Sequence, residues 1–269
     1  QCEIINQDKV VVVPGGLDSP TIEIIIRDAN GNPVDLTAEA ADDAYVFKVE
    51  AREAINGGTI LFFDAEVHTP SAGSVRSALS TEITKVGGVY EAGIVVYKDD
   101  KPIFVYPFWI LIERNIRDDN AGRKGPPLLR DIQRELADNV FRNITGILEF
   151  SDEDLISAMI TPVREWNETP PDIGVENTIT FPWMDAWRKA TVGHLLLISA
   201  SSYRRNRMPT RGGSVVFDDQ DKEQPYTEAA KFYLAEFKDF IERTKAERNM
   251  NLMFGATPSI YDAWYPRSL

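Results

Sequence analysis

Four arginines stand close together in a chain that is otherwise strongly acidic. They are Arg204, Arg205, Arg207 and Arg211, and they follow the apolar segment His194–Ala200. Guanidinium groups bind carboxylates through paired N–H donors, and arginine is enriched at protein interfaces. Positive charge also stabilises the carboxyl end of a helix through the helix dipole. The cluster therefore predicts either a charged helix end or a surface that binds an acidic partner, such as the acidic N-terminal half of a neighbouring copy.

Aromatic side chains near polar loops form a second group of candidate interface residues. They are Trp183, Trp187, Trp264 and Tyr265. Tryptophan and tyrosine are enriched in the cores of protein interfaces. Such rings also stack on sugars or pack inside a hydrophobic core. We expect these four residues, with the arginines, to contribute to a partner interface.

The side chains that commonly perform catalysis or bind metals are poorly arranged for either task. The carboxylates of Asp218, Asp219 and Asp221 lie in a polar loop, where solvation or a helix dipole accounts for them. His194 has no second histidine or cysteine at a metal-binding spacing, so we expect a nearby backbone group to bind its ring. The segment 28–32 begins like a calcium loop but lacks the remaining ligands, which favours a plain Asx turn. We predict no catalytic site, no cofactor and no metal.

Charge and cysteine content exclude several further functions. The 269 residues carry a formal net charge of −13, which disfavours binding to nucleic acid and to anionic membranes. Cys2 is the one cysteine, so the chain forms no internal disulfide. No apolar run approaches the length of a membrane span or of a signal-peptide core. We expect a protein without a membrane anchor.

The N-terminal part has the pattern of β-strands separated by turns. The strands are expected at Thr21–Arg27, Ala44–Glu50, Thr59–Val67, Gly73–Leu79, Gly88–Tyr97 and Pro102–Glu113. Residues 98–101 form a short charged loop between the last two strands, which indicates a hairpin. Several strands with turn signals between them predict an antiparallel sandwich.

The pattern becomes helical after the polar, proline-ending segment 117–127. Apolar residues three or four apart predict helices over Leu128–Ile144, from Ser151 to Trp166, over Asp185–Tyr203 and over Tyr226–Asn249. Ser151 is the expected N-cap of the second helix, followed by an acidic first turn of Asp152, Glu153 and Asp154, and Pro162 is expected to kink or shorten that helix. The middle of the third helix, His194–Ala200, is apolar on all sides, which predicts a central position. We therefore predict an α+β protein of two domains, with a β-sandwich over 1–116, a linker over 117–127 and a helical domain over 128–269.

One family shares the turn and hairpin signatures of the N-terminal part. The turn pattern consists of Asp28, Gly31, Pro33, Asp35 and Leu36, and the hairpin spans Val89–Ile112. In these features, residues 10–115 resemble the N-terminal domain of phage baseplate upper proteins. The resemblance implies an immunoglobulin-like sandwich that anchors a virion component to a tail or baseplate and holds no catalytic residues. The chain departs from that family by continuing into a helical domain.

These features lead to three expectations about function. The first is a non-enzymatic structural or adaptor protein of a tailed-phage virion, placed in the tail or baseplate, that binds other virion proteins, a fibre or spike, and copies of itself in a ring or trimer. The second is a carbohydrate- or receptor-binding module of the virion, or a neck, collar or capsid decoration protein. The third is a virion glycosidase or esterase whose two carboxylates come from distant positions. Virion proteins of this kind assemble in the host cytoplasm.

Overall fold

We describe the fold from a computed structural model of the chain. The structure describes all residues except 1–2, 7–9, 14–19, 29, 31, 43, 56–58, 81–82, 85–86, 114–124, 139–148, 206–209, 213–214, 218–222 and 255–269. The predicted linker over 117–127 lies mostly outside the described residues, as do Cys2, Asp218, Asp219 and Asp221. The division into two domains therefore stays a prediction.

The first part of the chain consists of strands, as predicted. The strands are β1 (Glu3–Asn6), β2 (Val10–Val13), β3 (Thr21–Ile25), β4 (Tyr45–Glu53), β5 (Leu61–Thr69), β6 (Ser74–Ala78), β7 (Gly88–Lys98) and β8 (Lys101–Ile112), with a short helix α1 (Thr37–Ala40) between β3 and β4. Six of them match the six predicted strands to within a few residues. The sequence analysis did not predict α1, which is a single turn.

All eight strands form one mixed sheet in the order β1-β3-β6-β5-β4-β7-β8-β2. The internal pairings are antiparallel, but β1 pairs with β3 and β2 pairs with β8 in parallel. The edge strands β1 and β2 follow each other in the chain and contact each other, so the sheet curls toward a barrel. The antiparallel prediction is therefore wrong for the two outer pairings, because consecutive segments of the N-terminus join opposite edges.

The curled sheet encloses the first hydrophobic core. Every second residue of a strand faces this core, as period-two geometry requires. Its fully buried members include Ile22, Val49, Ile94 and Ile112. The pattern predicted from the sequence for the central strands is therefore confirmed.

The turn after β3 closes with side-chain hydrogen bonds from aspartate to backbone. Asp28 Oδ1 accepts from the N–H groups of Asn30 and Asn32 at 2.8 and 2.9 Å. Asp35 Oδ1 accepts from the N–H of Thr37 at 3.0 Å. The predicted Asx turn is confirmed, and the second aspartate holds the chain where Leu36 enters the core.

The second part of the chain is mainly helical. Its helices are α2 (Leu129–Leu136), α3 (Asp152–Glu168), α4 (Met184–Arg205) and α5 (Glu223–Phe254), and a small hairpin of β9 (Thr210–Gly212) and β10 (Val215–Phe217) separates α4 from α5. Ser151 caps α3 as predicted, because its hydroxyl accepts from the N–H of Asp154, whose carboxylate binds Ser151 in return.

Two details of the helices differ from the prediction. Helix α2 ends at Leu136 rather than Ile144, because Ala137 has a left-handed φ of 55° and closes the last turn onto Arg134. Pro162 was expected to kink or shorten α3, and it does not shorten the helix, which continues to Glu168.

The helices pack against the outside of the sheet. Val89 and Leu111 point outward from β7 and β8 into a second core that also contains Ile132, Leu155 and Leu195. A third, aromatic core lies between α3, α4 and α5. The sheet is therefore covered by helices over one part of its outer face.

Candidate interaction surface

The rest of the outer sheet face is apolar and open to solvent. The pairing register places Phe62, Glu50, Gly93 and Pro107 in one row across β5, β4, β7 and β8. The next row contains Lys48, Val95 and Val105. Phe62 and Val105 are each 60% exposed, and Val46 on the same face of β4 is 45% exposed. Large side chains at this exposure form a face that no described residue covers.

A cavity of about 610 Å³ occupies this face, and we call it the sheet groove. Its walls include Glu50, Gly93, Val105, Pro107 and Trp109. Gly93 sets its depth, since a Cβ there would approach the Val105 side chain to 3.1 Å. The volume lies within the range of ligand and peptide sites.

Charged side chains stand around the apolar floor of the sheet groove. The Arg52 guanidinium binds Glu91 Oε2 at 2.7 Å, and Glu153 from the first turn of α3 closes one side. The hydroxyl of Tyr97 donates to Glu50, and this hydrogen bond, followed by burial, raises the pKa of the tyrosine. The rim therefore carries three carboxylates and one arginine.

The β7–β8 hairpin extends the same face. Asp99 and Asp100 have left-handed φ angles of 51° and 62°, as a tight two-residue turn requires, so the predicted hairpin is confirmed. Strand β2 pairs with β8 at 109–112. Within the described residues, β8 has no second partner from Pro102 to Phe108, and Ile103, Phe104 and Val105 are all exposed there. The hairpin thus presents apolar side chains on both faces.

Helix α4 carries a second surface of mixed character. Its exposed residues after the midpoint are Leu197, Ile198, Ser201, Arg204 and Arg205, which we call the α4 stripe. At 100° per residue these positions fall on one side of the helix. Leu197 and Ile198 are 42% and 41% exposed. The prediction that His194–Ala200 is central is therefore wrong for these two residues, because the neighbouring helices cover only the remaining sides of α4.

The arginine cluster is only partly described. Arg204 donates to Glu223 at the start of α5, at 2.8 Å, and Arg205 is exposed in the last turn of α4. Arg211 belongs to β9, and Arg207 lies outside the described residues. The predicted helix C-terminus is confirmed for the first two, whereas their role in a partner interface stays a prediction.

The tryptophans named as interface candidates lie elsewhere. Trp187 is fully buried and its indole N–H donates to the backbone oxygen of Met159 at 2.7 Å, so its predicted place at an interface is wrong for the folded chain. Trp183 is half-buried, and its ring stacks against Trp166 and under the Arg248 guanidinium. These rings fill the third core because α3, α4 and α5 meet there. Trp264 and Tyr265 lie outside the described residues.

The other candidates for chemistry are His194 and the carboxylates of residues 152–154. His194 Nε2 lies 3.3 Å from the Glu165 carboxylate but makes no hydrogen bond to it or to any other described group, so the expected backbone partner is not found at this nitrogen. Asp152, Glu153 and Asp154 form the acidic first turn of α3, as predicted. Across the described residues, no group of three or more histidine, cysteine or carboxylate side chains is placed to hold a metal ion.

Comparisons with known proteins find similarity among solved structures. No protein-family model and no curated protein matches the chain. Among solved structures, the N-terminal domain of phage TP901-1 ORF48 is similar at 14% identity and a TM-score of 0.30, over 42% of this chain and 95% of that one. A likeness at this level assigns no function to the chain.

None of the described helices combines the length and the apolar character that crossing a bilayer requires. Among the described residues, the surfaces on which a partner can pack are an apolar groove with a charged rim, an apolar hairpin and a helix stripe that ends in arginines.

Proposed function

We propose that the chain is a non-enzymatic structural adaptor of a tailed-phage virion, located in the tail or baseplate. In this role it binds neighbouring virion proteins, a fibre or spike protein, and copies of itself in a ring or trimer. The curled sheet of the N-terminal part is the anchoring element, as the resemblance to an immunoglobulin-like anchoring domain implies, and the helical part supplies a second contact surface. A neck, collar or capsid position would use the same surfaces.

The open sheet face is the observation that carries this proposal. Phe62, Val46 and Val105 are large and exposed on this face, and Val105 lines the groove. Soluble monomers rarely expose contiguous apolar patches of more than a few hundred Å², and larger ones mark interaction sites. Burying such a surface stabilises a complex by roughly 25 cal/mol per Å² of apolar area. A protein that is permanently assembled would cover this face.

The turn geometry supports the resemblance that suggests a virion role. Asp28 and Asp35 both close backbone turns, and Leu36 anchors the segment in the core. The residues that carry the similarity to phage baseplate upper proteins thus have a structural task. They shape the connection between β3 and β4.

The same surfaces give little support to a sugar-binding module. Tryptophan stacking on a sugar needs an exposed indole face, but Trp187 is buried and Trp183 is covered by Arg248. Trp109 is half-buried at the groove wall. A glycan array probed with the whole chain tests this alternative, since binding at micromolar concentration would favour it over assembly.

Purified phage particles from the source of this sequence test the proposal directly. We expect an antibody raised against the chain to label the tail end of intact particles, and mass spectrometry to find the chain in a fixed ratio to tail proteins. Particles from which the gene is deleted should lack the structure that is labelled. A chain that is absent from purified particles would contradict the proposal.

A further inference from the structure

The sheet groove and the α4 stripe have complementary surfaces. The groove has an apolar floor that includes Val95, Val105 and Pro107, and a rim of three carboxylates and Arg52. The stripe begins with the exposed aliphatic residues Leu197 and Ile198 and ends with two arginines. The groove therefore places negative charge beside an apolar area, and the stripe places positive charge beside one.

We propose that the sheet groove of one copy binds the α4 stripe of a second copy of this chain. In this contact Leu197 and Ile198 cover the apolar floor. The guanidinium groups of Arg204 and Arg205 then face the carboxylates of Glu50, Glu91 and Glu153. The inference rests on the proposed assembly role and specifies the contact through which copies join.

Charge decides between this pairing and the alternatives. A groove facing a groove would bring Glu50, Glu91 and Glu153 against their own counterparts. A stripe facing a stripe would bring arginine against arginine. Juxtaposed like charges at an interface are unfavourable and exclude wrong partners. Arg52 on the rim already binds Glu91, so groove against stripe is the combination that brings further positive charge to the three carboxylates.

The two arginines and Glu153 remain available in the single copy, whereas Glu91 already binds Arg52 and Glu50 accepts from the Tyr97 hydroxyl. Arg205 is exposed and forms no ion pair with any described residue. Arg204 binds Glu223 at 2.8 Å with a largely exposed side chain, so its other N–H donors are free to reach a second carboxylate. On the groove side, Glu153 is exposed in the first turn of α3. The contact therefore needs no rearrangement of the fold.

Each copy carries both surfaces, which permits a closed cyclic oligomer. An interface between a groove and a different surface repeats from copy to copy until the rotation closes. This property suits a component that surrounds a tail axis. It also makes the contact testable by mixing two defective variants.

The experiment uses Val105→Glu as a groove variant and Leu197→Glu as a stripe variant of the whole chain. Both positions are exposed, so the fold should survive, and circular dichroism with a melting curve checks this. Phe232→Glu on α5 is the matched control, since Phe232 is 68% exposed and belongs to neither surface. Self-association is measured by analytical ultracentrifugation over a concentration series.

We expect the unmodified chain and Phe232→Glu to associate alike, and each of the other two variants to weaken association at least about tenfold, the equivalent of 1.4 kcal/mol. An equimolar mixture of the two weakened variants should regain association, because one intact groove then meets one intact stripe. A monomeric wild-type chain would overturn the inference. So would a variant that associates normally, or a mixture that fails to recover.

These outcomes separate the inference from the proposed function. A chain that is present in particles but monomeric in isolation overturns the groove–stripe contact and leaves the virion role in place. A chain that associates through groove and stripe but is absent from particles supports the contact and contradicts the virion role.

Discussion

Glu53 and Thr178 join the sheet to the helical part of the chain. The carboxylate Oε1 of Glu53, at the end of β4, accepts from the N–H and the hydroxyl of Thr178 at 3.0 and 2.7 Å. The N–H of Val89 on β7 donates to the same hydroxyl at 3.0 Å. Both side chains are buried, so these hydrogen bonds are shielded from water. One threonine thus binds two neighbouring strands.

Replacing Thr178 with valine should destabilise the chain by about 1.5–3 kcal/mol, because a buried carboxylate loses a hydroxyl donor. Urea denaturation followed by tryptophan fluorescence measures the change. Thr178→Ser is the control, since it keeps the hydroxyl and should lose much less. A larger loss for Thr178→Ser than for Thr178→Val would mean that the methyl group contributes more than the hydroxyl, and a Thr178→Val variant as stable as the wild type would contradict the role of the hydroxyl.

The second prediction concerns Gly73. It separates the cost of a left-handed backbone from the cost of steric crowding around a Cβ atom. Its φ is 63°, and a Cβ would lie 2.7 and 2.8 Å from the carbonyl oxygens of Val34 and Ile26. Gly174 has a similar φ of 70° with nothing within 4 Å of its Cβ position. Gly174→Ala should therefore cost about 1 kcal/mol for the left-handed backbone alone. Gly73→Ala should cost at least about 2 kcal/mol more in the same denaturation assay.

The comparison of the two alanine variants has a clear negative result. If both variants lose the same free energy of unfolding, the backbone around Gly73 relaxes to make room for the Cβ atom, and crowding contributes nothing. If Gly73→Ala alone fails to fold at 25 °C, the turn that supports Leu36 is essential to the sheet.

The cap of α3 gives a third prediction. Ser151 and Asp154 satisfy each other's backbone groups at the helix start. Ser151→Ala should cost about 1 kcal/mol, as the loss of an N-cap does in other helices. Ser157→Ala, at an exposed position inside the same helix, is the control and should leave the melting temperature unchanged or slightly higher. If Ser151→Ala leaves the melting temperature unchanged, core packing alone determines where α3 begins.

Local patterns in the sequence predicted the elements well. Alternation in Tyr45–Glu53, the charged turn at 98–101 and the Ser151 cap each depend on neighbours in the chain, and each is confirmed. The parallel pairing of β1 with β3 and of β2 with β8 was missed, because three residues between two strands carry no signal that they join opposite edges.

The interaction surface was harder to predict than the fold. The tryptophans were expected at an interface from their type, yet Trp187 is in the core, since residue type does not specify which side of a helix is covered. One signal was present. Residues 103–109 are apolar at both odd and even positions, and a strand with a single buried face would alternate. The local sequence does not specify which strands lie beside this one. The position of the groove therefore depends on pairings between distant segments.

A fourth prediction concerns Glu23, a buried carboxylate on β3. Burial opposes its ionisation, but hydrogen bonds from Ser74 and Arg76 outweigh that effect and hold its pKa below the ordinary value of 4.5. Arg76 donates to Oε2 from Nε and Nη2 at 3.0 and 2.9 Å, and the charge of His68 adds to the effect. A lowered folded-state pKa stabilises the fold above the ordinary pKa, and this contribution disappears as the pH falls through the folded-state value.

Glu23→Gln should therefore be less stable than the wild type at pH 7. The difference in free energy of unfolding between the two proteins should become smaller as the pH is lowered from about 4.5 toward 3. Urea denaturation at a series of pH values measures this difference. Glu242→Gln, an exposed change on α5, should follow the wild-type curve throughout. A difference that stays constant with pH would show that the glutamine loses packing or hydrogen-bond geometry rather than charge, and that the Glu23–Arg76 pair does not contribute to acid sensitivity.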